Sequence, residues 1–246
     1  MTVYKSFNQA LFPYAYGLGL SNNATTPNTK LDVAVGSILD SSKTFQLNLD
    51  VAVTIDATTT GLNGLDTGSL AASTLYNVFL VADPQSYNVT GAIISASSIP
   101  VLPYGYGAYA LIGYVATGAG STFLKGFWTD DKSTWRTFMF DAPQEVLAAG
   151  AAAAYTAVDL SALVPSVQNT PVILQSTFTA AAAGDIENLQ PFGAVGDAVT
   201  VIGQRAGAIA SQDLVMARLD SGDAKVEYKV SAGALKLDVA GYQFAI

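Results

Sequence analysis

The stretch that decides the fold is Phe45-Gln46-Leu47-Asn48-Leu49-Asp50-Val51-Ala52-Val53-Thr54-Ile55. Its large apolar side chains recur at every second position, and the positions between them are polar apart from Ala52. Strict alternation of this kind is typical of a β-strand with one buried face. We therefore predict one long strand over residues 45–55.

A hairpin is predicted around this strand. Leu31, Val33 and Val35 show the same alternation just before it. The turn-forming run Asp40-Ser41-Ser42-Lys43 separates the two segments. Two alternating segments joined by a short polar turn pair as antiparallel neighbours.

Two further hairpins are predicted later in the chain. Residues 122–128 and 134–140 flank a polar turn. Residues 226–230 and 235–239 alternate on either side of the short connection 231–234. Strand pairs of this type indicate antiparallel sheets.

The number of such segments indicates the fold class. We count about 13 short strands, punctuated by Gly, Pro and Asn turns, which favour an all-β, antiparallel β-sandwich of jelly-roll type. An alanine-rich run is the one segment with helical propensity. The predicted organisation is an extended N-terminal arm over residues 1–30, a β-sandwich domain over 31–143, a linker or short helix over 144–156, and a second β domain or second half of the same sandwich over 157–246.

The composition of the chain excludes several kinds of functional site. Cys and His are absent, which excludes disulfides, thiolate chemistry and imidazole general bases within this chain. Only 12% of residues are charged, the net charge is -8, and basic residues are not clustered, so nucleic acid and anionic membrane surfaces are disfavoured partners. No apolar stretch reaches the length of a membrane span, and residues 1–10 lack the apolar core of a signal peptide. We predict no cofactor, no metal site and no membrane insertion.

A polysaccharide hydrolase is one alternative. Its candidate carboxylates are Asp56, Asp66, Asp130, Asp131, Asp141 and Glu145. A glycosidase needs two carboxylates facing each other across a cleft, about 5–10 Å apart. Most of these residues fall in predicted turns, where Asp serves local hydrogen bonds. We therefore predict no catalytic residues and no enzymatic activity.

Aromatic side chains are the candidate contact residues. The candidates for a subunit interface or a glycan platform are Tyr104, Tyr106, Tyr109, Trp128 and Trp135, and the candidates for a tether in the N-terminal arm are Phe12, Tyr14 and Tyr16. A tyrosine ring packs against apolar atoms while its hydroxyl takes a polar partner, so it suits either role. Both roles stay open from these residues alone.

Four motifs follow one another between residues 61 and 129. They are Gly64-Leu65-Asp66-Thr67-Gly68-Ser69-Leu70-Ala71, the strand Leu75-Tyr76-Asn77-Val78-Phe79-Leu80-Val81, the crossing Pro100-Val101-Leu102-Pro103-Tyr104-Gly105-Tyr106, and Leu111-Ile112-Gly113-Tyr114-Val115, in which Gly113 marks a bulge or a close approach. Together they resemble a β-sandwich region of tailed-bacteriophage virion proteins, especially tail fibres and head-attached proteins. There, a leucine-aspartate-threonine-glycine turn, a tyrosine-bearing strand, a leucine-proline-glycine-tyrosine turn and an isoleucine-glycine strand recur in that order.

This chain departs from the pattern at two places. Tyr104 intervenes between Pro103 and Gly105, and the arginine that commonly follows the tyrosine turn is replaced around Ala108 and Tyr109. The motifs are turn and packing positions rather than a site. The resemblance therefore implies a setting, the virus particle, and says little about the role within it.

The resemblance implies a non-enzymatic virion structural protein that assembles as a homo-oligomer, with a trimer as the expected state. A capsid decoration or head-fibre protein, or a short tail-associated protein, suits this length best. The implied partners are further copies of the chain and other capsid or tail proteins, and the implied location is the virion, assembled in the cytoplasm of the bacterial host.

The alternative is a receptor- or carbohydrate-binding module of a tail fibre, with a host surface glycan as its partner. An assembly subunit would bury its aromatic contact residues between copies. A binding module would expose them beside Asp, Asn or Gln side chains.

Overall fold

The structure is a computed structural model. It describes residues 15–83, 85, 89–128, 135–182, 185–194, 200–204, 210–219 and 222–245. These residues form eighteen β-strands and no helix. Every pairing between the strands is antiparallel. The predicted all-β, antiparallel β-sandwich is confirmed.

The strands divide among four sheets. In chain order they are β1 (Ala15–Gly17), β2 (Leu20–Asn22), β3 (Lys30–Val33), β4 (Gly36–Leu39), β5 (Gln46–Leu49), β6 (Val53–Asp56), β7 (Leu75–Ala82), β8 (Val89–Ser95), β9 (Ala108–Ala116), β10 (Gly126–Trp128), β11 (Trp135–Gly150), β12 (Thr156–Asp159), β13 (Pro171–Thr179), β14 (Ile186–Pro191), β15 (Thr200–Gln204), β16 (Ala210–Arg218), β17 (Lys225–Val230) and β18 (Ala234–Ala245). An eight-stranded sheet has the order β16-β13-β18-β11-β10-β2-β3-β6. The smaller sheets are β12-β17-β14-β15, β8-β7-β9 and β1-β4-β5.

The inner face of the eight-stranded sheet packs against the smaller sheets. At one end, Ser176 of β13 contacts Glu187 of β14. Further along, the ring of Phe244 on β18 lies 5.3 Å from that of Tyr114 on β9, edge to face. One hydrophobic cluster runs through these contacts, from Ala15 near the start of the described chain to Phe244 near its end. Burial of this shared core is the main force that holds the sheets together.

The first hairpin is confirmed, but its strands are broken. β4 pairs with β5 across the predicted turn, and β3 pairs with β6 in a different sheet. The alternating stretch 45–55 is therefore two strands, and Val51 between them is 74% exposed. Both arms of the hairpin pass from one sheet to another at this break. The pair β4–β5 therefore belongs to the sheet β1-β4-β5, and the pair β3–β6 belongs to the eight-stranded sheet.

The predicted hairpin of residues 226–239 is wrong. β17 pairs with β12 and β14, whereas β18 pairs with β11 and β13. The connection between them is an arch from one sheet to another. Gly233 has a φ of +96°, and a Cβ there would collide with the carbonyl of Thr179, so the arch requires glycine.

Residues 144–156 contain no helix, which corrects one of the two alternatives given for them. β11 continues to Gly150, because Gln144, Glu145 and Leu147 pair with Val239, Asp238 and Leu237 of β18. Ladder hydrogen bonds to a central strand outweigh the weak helical propensity of an alanine-rich run. The hairpin predicted from residues 122–128 and 134–140 is confirmed, since β10 pairs with β11.

The described part of the predicted N-terminal arm is built into the sandwich. β1 pairs with β4, and β2 pairs with β3 and β10. Leu18 between them is fully buried, and its carbonyl accepts a hydrogen bond from the buried guanidinium of Arg136 at 2.7 Å. Residues 15–30 therefore belong to the sandwich and do not form a free arm.

Candidate functional site

The outer face of the eight-stranded sheet carries a row of apolar residues across five strands. Met216 pairs with Ile173, Ile173 with Gly241, Gly241 with Met139, and Met139 with Phe127. Neighbouring strands lie about 4.8 Å apart, so the row is about 19 Å long. Met216 is 63% exposed and Phe127 is 56% exposed at the two ends of the row, whereas Ile173, at 9%, and Gly241 are buried between them. We call this row, together with Leu214 and Trp135 beside it, the open face.

Glycine at the centre of the row lets a side chain lie across it. A Cβ on Gly241 would be 2.6 Å from the sulfur of Met139, so the thioether occupies the space above this glycine. Methionine is a flexible, polarisable side chain that adapts to a partner surface. The centre of the open face is therefore apolar and deformable.

Polar and charged groups border the open face. Beyond Phe127 the row ends on Ser21 of β2. Further along β18 and β11 from the row, Lys236 forms an ion pair with Asp238 at 2.8 Å and with Glu145 at 3.4 Å. An apolar centre with a polar rim is the usual anatomy of a protein–protein interface.

The structure separates the two tryptophans that the sequence grouped. Trp128 points into the core, where its ring centroid lies 4.7 Å from that of Phe138. Trp135 pairs with Ala245 and is 43% exposed on the open face. Alternation along β10 and β11 explains the difference, since one position inverts the facing of a strand residue.

A groove of about 700 Å³ lies between the outer face of sheet β8-β7-β9 and the connection from β12 to β13. Its lining is Ser41, Leu75, Asn77, Phe79, Ala96, Ser98, Tyr109, Leu111, Tyr114, Ser161, Pro165, Ser166 and Val167. None of these residues is charged. We call it the Tyr109 groove. Its volume is within the range of small-molecule sites.

β9 contains a β-bulge between Tyr109 and Tyr114, the two aromatic residues that it contributes to the groove lining. The register changes between Val78, which pairs with Gly113, and Phe79, which pairs with Leu111. The predicted irregularity at Gly113 is confirmed, and a Cβ there would also be 2.6 Å from a methyl carbon of Leu20. Beyond the bulge, Tyr109 packs edge to face on Phe79 with ring centroids 5.6 Å apart.

Tyr106 and Tyr109 belong to a second, smaller hydrophobic cluster on this outer face. Its buried members are Phe79, Val81 and Ile93, and Leu102, Tyr106, Tyr109 and Leu111 pack against them. Both tyrosines are half-buried. The crossing that carries Leu102 and Tyr106 thus covers one part of the outer face, and the Tyr109 groove occupies another.

Hydrogen bonds hold two groove serines in place. The amide of Ser41 donates to the carbonyl of Tyr109 at 2.8 Å, which fixes the β4–β5 turn against β9. Across the groove, the amide of Ser161 donates to a carboxylate oxygen of Asp159 at 2.9 Å. Hydrogen bonds from the amide and hydroxyl of Ser161 lower the pKa of Asp159. The groove therefore has two anchored rims.

Burial changes the acidity of one tyrosine in the lining. It raises the pKa of Tyr114 to about 12. The hydroxyl of this residue is therefore protonated throughout the physiological range. Tyr114 contributes a neutral group to the groove.

Asp66 of the turn over residues 64–71 holds the crossing that carries Tyr104. One of its carboxylate oxygens accepts a hydrogen bond from the amide of Val101 at 3.0 Å, and the other accepts one from the amide of Thr67 at 2.7 Å. Tyr104 itself is fully exposed, at 104%, next to Gly105, which has a φ of +88°. The motif residues thus position a loop whose tip displays a tyrosine.

Of the three tether candidates, the structure describes Tyr16. Phe12 and Tyr14 lie outside the described residues. Tyr16 lies on β1, where it pairs with Ser37 and is 58% exposed. Its ring is available on the surface of the sandwich, although its backbone is not part of a free arm.

Three of the six carboxylates considered for a hydrolase are in structural roles. Asp56 pairs with Lys30 at 2.9 Å. Hydrogen bonds from Thr58, together with Lys30, lower the pKa of Asp56 to about 2. Glu145 belongs to the Lys236 cluster and Asp66 to its turn. Asp141 is exposed, and Asp130 and Asp131 lie outside the described residues.

Sequence reasoning missed Glu187, Met216, Leu214 and Phe127. Glu187 sits in the segment Ile186-Glu187-Asn188-Leu189, which shows no distinctive motif. The open face could have been predicted from the sequence of β16. In β16, apolar residues occupy both faces of the strand at Leu214 to Ala217, which predicts a second buried face.

The described residues contain no helix that could span a membrane. Within the same residue ranges, no group of three acidic side chains is placed to hold a metal ion.

No protein-family model and no curated protein matches this sequence. Among solved structures, the chain is similar to a carbohydrate-binding module, CBM6cm-2 from Cellvibrio mixtus lichenase 5A in complex with cellotriose, at 13% identity over 50% of this chain and 88% of that one, with a TM-score of 0.23. It is also similar to a chain of infectious bursal disease virus, Gx strain, at 10% identity over 92% of this chain and 70% of that one, with a TM-score of 0.24. At TM-scores of this size neither neighbour informs the function. The resemblance to tailed-phage proteins over residues 61–129 stays a prediction.

Proposed function

We propose that the protein is a non-enzymatic structural subunit of a virion, which assembles with copies of itself through the open face. The observation that carries this proposal is the apolar row from Met216 to Phe127 on the outer side of a central sheet. Antiparallel sheets that face water on one side usually place polar residues there. A continuous apolar row rimmed by charges is instead expected where a partner covers the sheet.

The low charge density of the chain supports the same proposal. Only 12% of its residues are charged, about half of what is usual for a soluble domain. Charged residues are depleted where subunits meet. The net charge of -8 is compatible with self-association, because the open face keeps its charges at the rim.

The particle and the stoichiometry are part of the proposal. The phage-like motifs lie in the turn at Asp66 and the crossing at Val101, which the structure joins by a hydrogen bond. We assign the chain to a tailed-phage virion on that resemblance, as a trimeric capsid decoration, head-fibre or short tail-associated protein.

The open face is tested by two charge substitutions, Met216→Glu and Phe127→Glu. Sedimentation velocity should give the wild-type chain a mass three times 25.4 kDa. Each variant should dissociate at least about a hundredfold more readily, because a carboxylate buried without a partner in an interface costs about 3 kcal/mol or more.

The matched control is Val51→Glu, which also replaces an exposed apolar side chain but lies off the open face. It should keep the wild-type mass. The melting temperature of Val51→Glu should remain near that of the wild type, since exposed positions tolerate substitution. The two open-face variants should keep the circular dichroism spectrum of the wild type, and their melting temperatures should fall only by the stabilisation that assembly supplied. A wild-type chain that stays at 25.4 kDa up to about 100 μM would refute assembly through this face.

The tether prediction needs a shorter deletion than the arm predicted from sequence. Removing residues 1–30 would also remove β1 and β2, and with them the buried Leu18. Removing residues 1–14 tests Phe12 and Tyr14 and leaves all eighteen described strands in the chain. The truncated protein should fail to bind virus particles that were assembled without this protein. If it fills all of the binding sites on those particles, residues 1–14 are not the tether.

A second candidate function, a receptor-binding module, is favoured by a different observation. The Tyr109 groove is uncharged, is lined by aromatic and hydroxyl-bearing side chains, and lies away from the row that forms the open face. A subunit could therefore assemble through one surface and bind through the other.

A further inference from the structure

We infer that the Tyr109 groove is a binding site for a neutral saccharide. The inference deepens the second candidate function by naming the ligand class, and it does not depend on assembly through the open face. It stands on three features of the groove, namely its aromatic floor, its hydroxyl-bearing rims and its lack of charge.

The floor offers an apolar surface of limited extent. Tyr109 is half-buried and rests on Phe79, which is almost completely buried, so the exposed part of the tyrosine is held in place from below. A pyranose ring presents a face of C–H groups, and such a face packs well against a fixed aromatic ring. Preorganisation matters, because a ring that is already immobilised loses little entropy on binding.

The rims offer groups that both donate and accept hydrogen bonds. Ser41 and Ser98 lie on the side of the sheet, and Ser166 lies on the opposite connection beside Ser161, whose hydroxyl already donates to Asp159. Asn77 stands between them on β7, and its amide nitrogen donates to the carbonyl of Ser95 at 3.3 Å. Hydroxyl and amide groups match sugar hydroxyls, which are also donors and acceptors at once.

The absence of charge in the lining selects against ionic ligands. A phosphate or carboxylate group bound in this groove would be partly desolvated without a positive charge in the lining, which is unfavourable. For an ammonium group the lining likewise offers no carboxylate, since Asp159 is held behind Ser161 by its own hydrogen bonds. The net charge of -8 disfavours anionic ligands further. A sugar without acidic or amino substituents is the class that fits both the apolar floor and the neutral rims.

The test is a binding measurement on the full chain with a panel of neutral oligosaccharides, namely maltotriose, cellotriose, mannotriose and lactose, followed by calorimetry on any that bind. The blocking variant is Ser166→Trp, which fills the groove from an exposed rim position. The matched control is Ser69→Trp, an exposed serine outside the lining. A further variant, Tyr109→Ala, removes the platform.

At least one of the four neutral sugars should bind the wild type and the Ser69→Trp control equally. Ser166→Trp and Tyr109→Ala should each weaken binding by at least about tenfold. The melting temperature of Ser166→Trp should be unchanged, which separates lost binding from lost folding. Absence of binding to all four sugars at millimolar concentration, or equal binding by Ser166→Trp, would overturn the inference.

Polygalacturonate in the same panel tests the neutral class, and preferential binding to it would overturn the assignment. The oligomeric mass, measured on the same samples, separates this test from the assembly proposal. Ser166→Trp should keep the wild-type mass, because Ser166 is not part of the open face.

Discussion

Replacing Glu187 with glutamine should abolish most of the pH dependence of stability between about pH 5 and about pH 8. Glu187 lies on β14 and is 1% exposed. The hydroxyl of Ser176 donates to its Oε1 at 3.2 Å, whereas its Oε2 has no hydrogen-bond partner among the described residues. Burial, offset in part by the Ser176 hydrogen bond and reinforced by the nearby charge of Asp213, raises the pKa of Glu187 from 4.5 to about 7.

The sign follows from the two pKa values. Between pH 4.5 and about 7 the folded chain keeps a proton on Glu187 that the unfolded chain releases, so the free energy of unfolding falls as the pH rises through this window. Below the window both states are protonated, and above it both are ionised. The interval between the two pKa values corresponds to about 3 kcal/mol.

Few other side chains of this sequence titrate in the same pH range as Glu187. The chain has no His and no Cys, so the side chains that normally titrate near neutrality are missing. Urea denaturation across about pH 5 to about pH 8 should show the wild type losing about 2–3 kcal/mol, with a midpoint that falls accordingly. Glu187→Gln, which is nearly isosteric and cannot ionise, should give a nearly flat profile and exceed the wild type at the upper end.

The control is Glu145→Gln, which removes an exposed carboxylate whose side chain is 53% accessible. It should keep the wild-type slope, because its removal leaves the buried carboxyl in place. If Glu187→Gln and the wild type show parallel profiles, then Glu187 does not titrate in this window, and the reasoning from its burial is refuted.

Three further predictions concern the parts that hold the sandwich together, each checked by urea denaturation. Asp66→Ala should cost about 1–2 kcal/mol by freeing the amide of Val101, and Asp66→Asn, which keeps an acceptor, should recover part of it. Arg136→Met should cost about 2–3 kcal/mol, because buried carbonyls lose their donor; an unchanged midpoint would contradict that role. Gly113→Val should cost about 1–3 kcal/mol by overpacking against Leu20, and a neutral effect would mean that the bulge has room for a side chain.

Local patterns in the sequence predicted local structure well. The alternation in residues 45–55 identified most of the buried side chains, since Leu47 and Ile55 are both fully buried, but Val51 of the predicted buried set is exposed. The turn at Asp40 was recognisable because an Asp side chain can accept hydrogen bonds from amides that follow it, as those of Thr44 and Phe45 do. The irregularity at Gly113 was recognisable because glycine inside a strand marks a bulge or a close approach.

Long-range features escaped the same reasoning. A period of two shows which side chains share a face, but it does not show which sheet that face belongs to. Residues 226–239 illustrate this limit, because two alternating segments in sequence proximity pair with different strands. The helix considered for residues 144–156 illustrates another, because ladder pairing with β18 is invisible in the local sequence.

By itself, the sequence determined the strand character of this chain, its turns and the absence of imidazole and thiol chemistry, since these depend on residue type and nearest neighbours. Only the tertiary structure decided that the stretch opening at Phe45 breaks between two sheets, that Trp128 is buried while Trp135 is exposed, and that Glu187 is enclosed beside Ser176. It also decided the two surfaces proposed for function. Both arise where distant strands are brought side by side, and contacts between residues more than a hundred positions apart leave no local trace in the sequence.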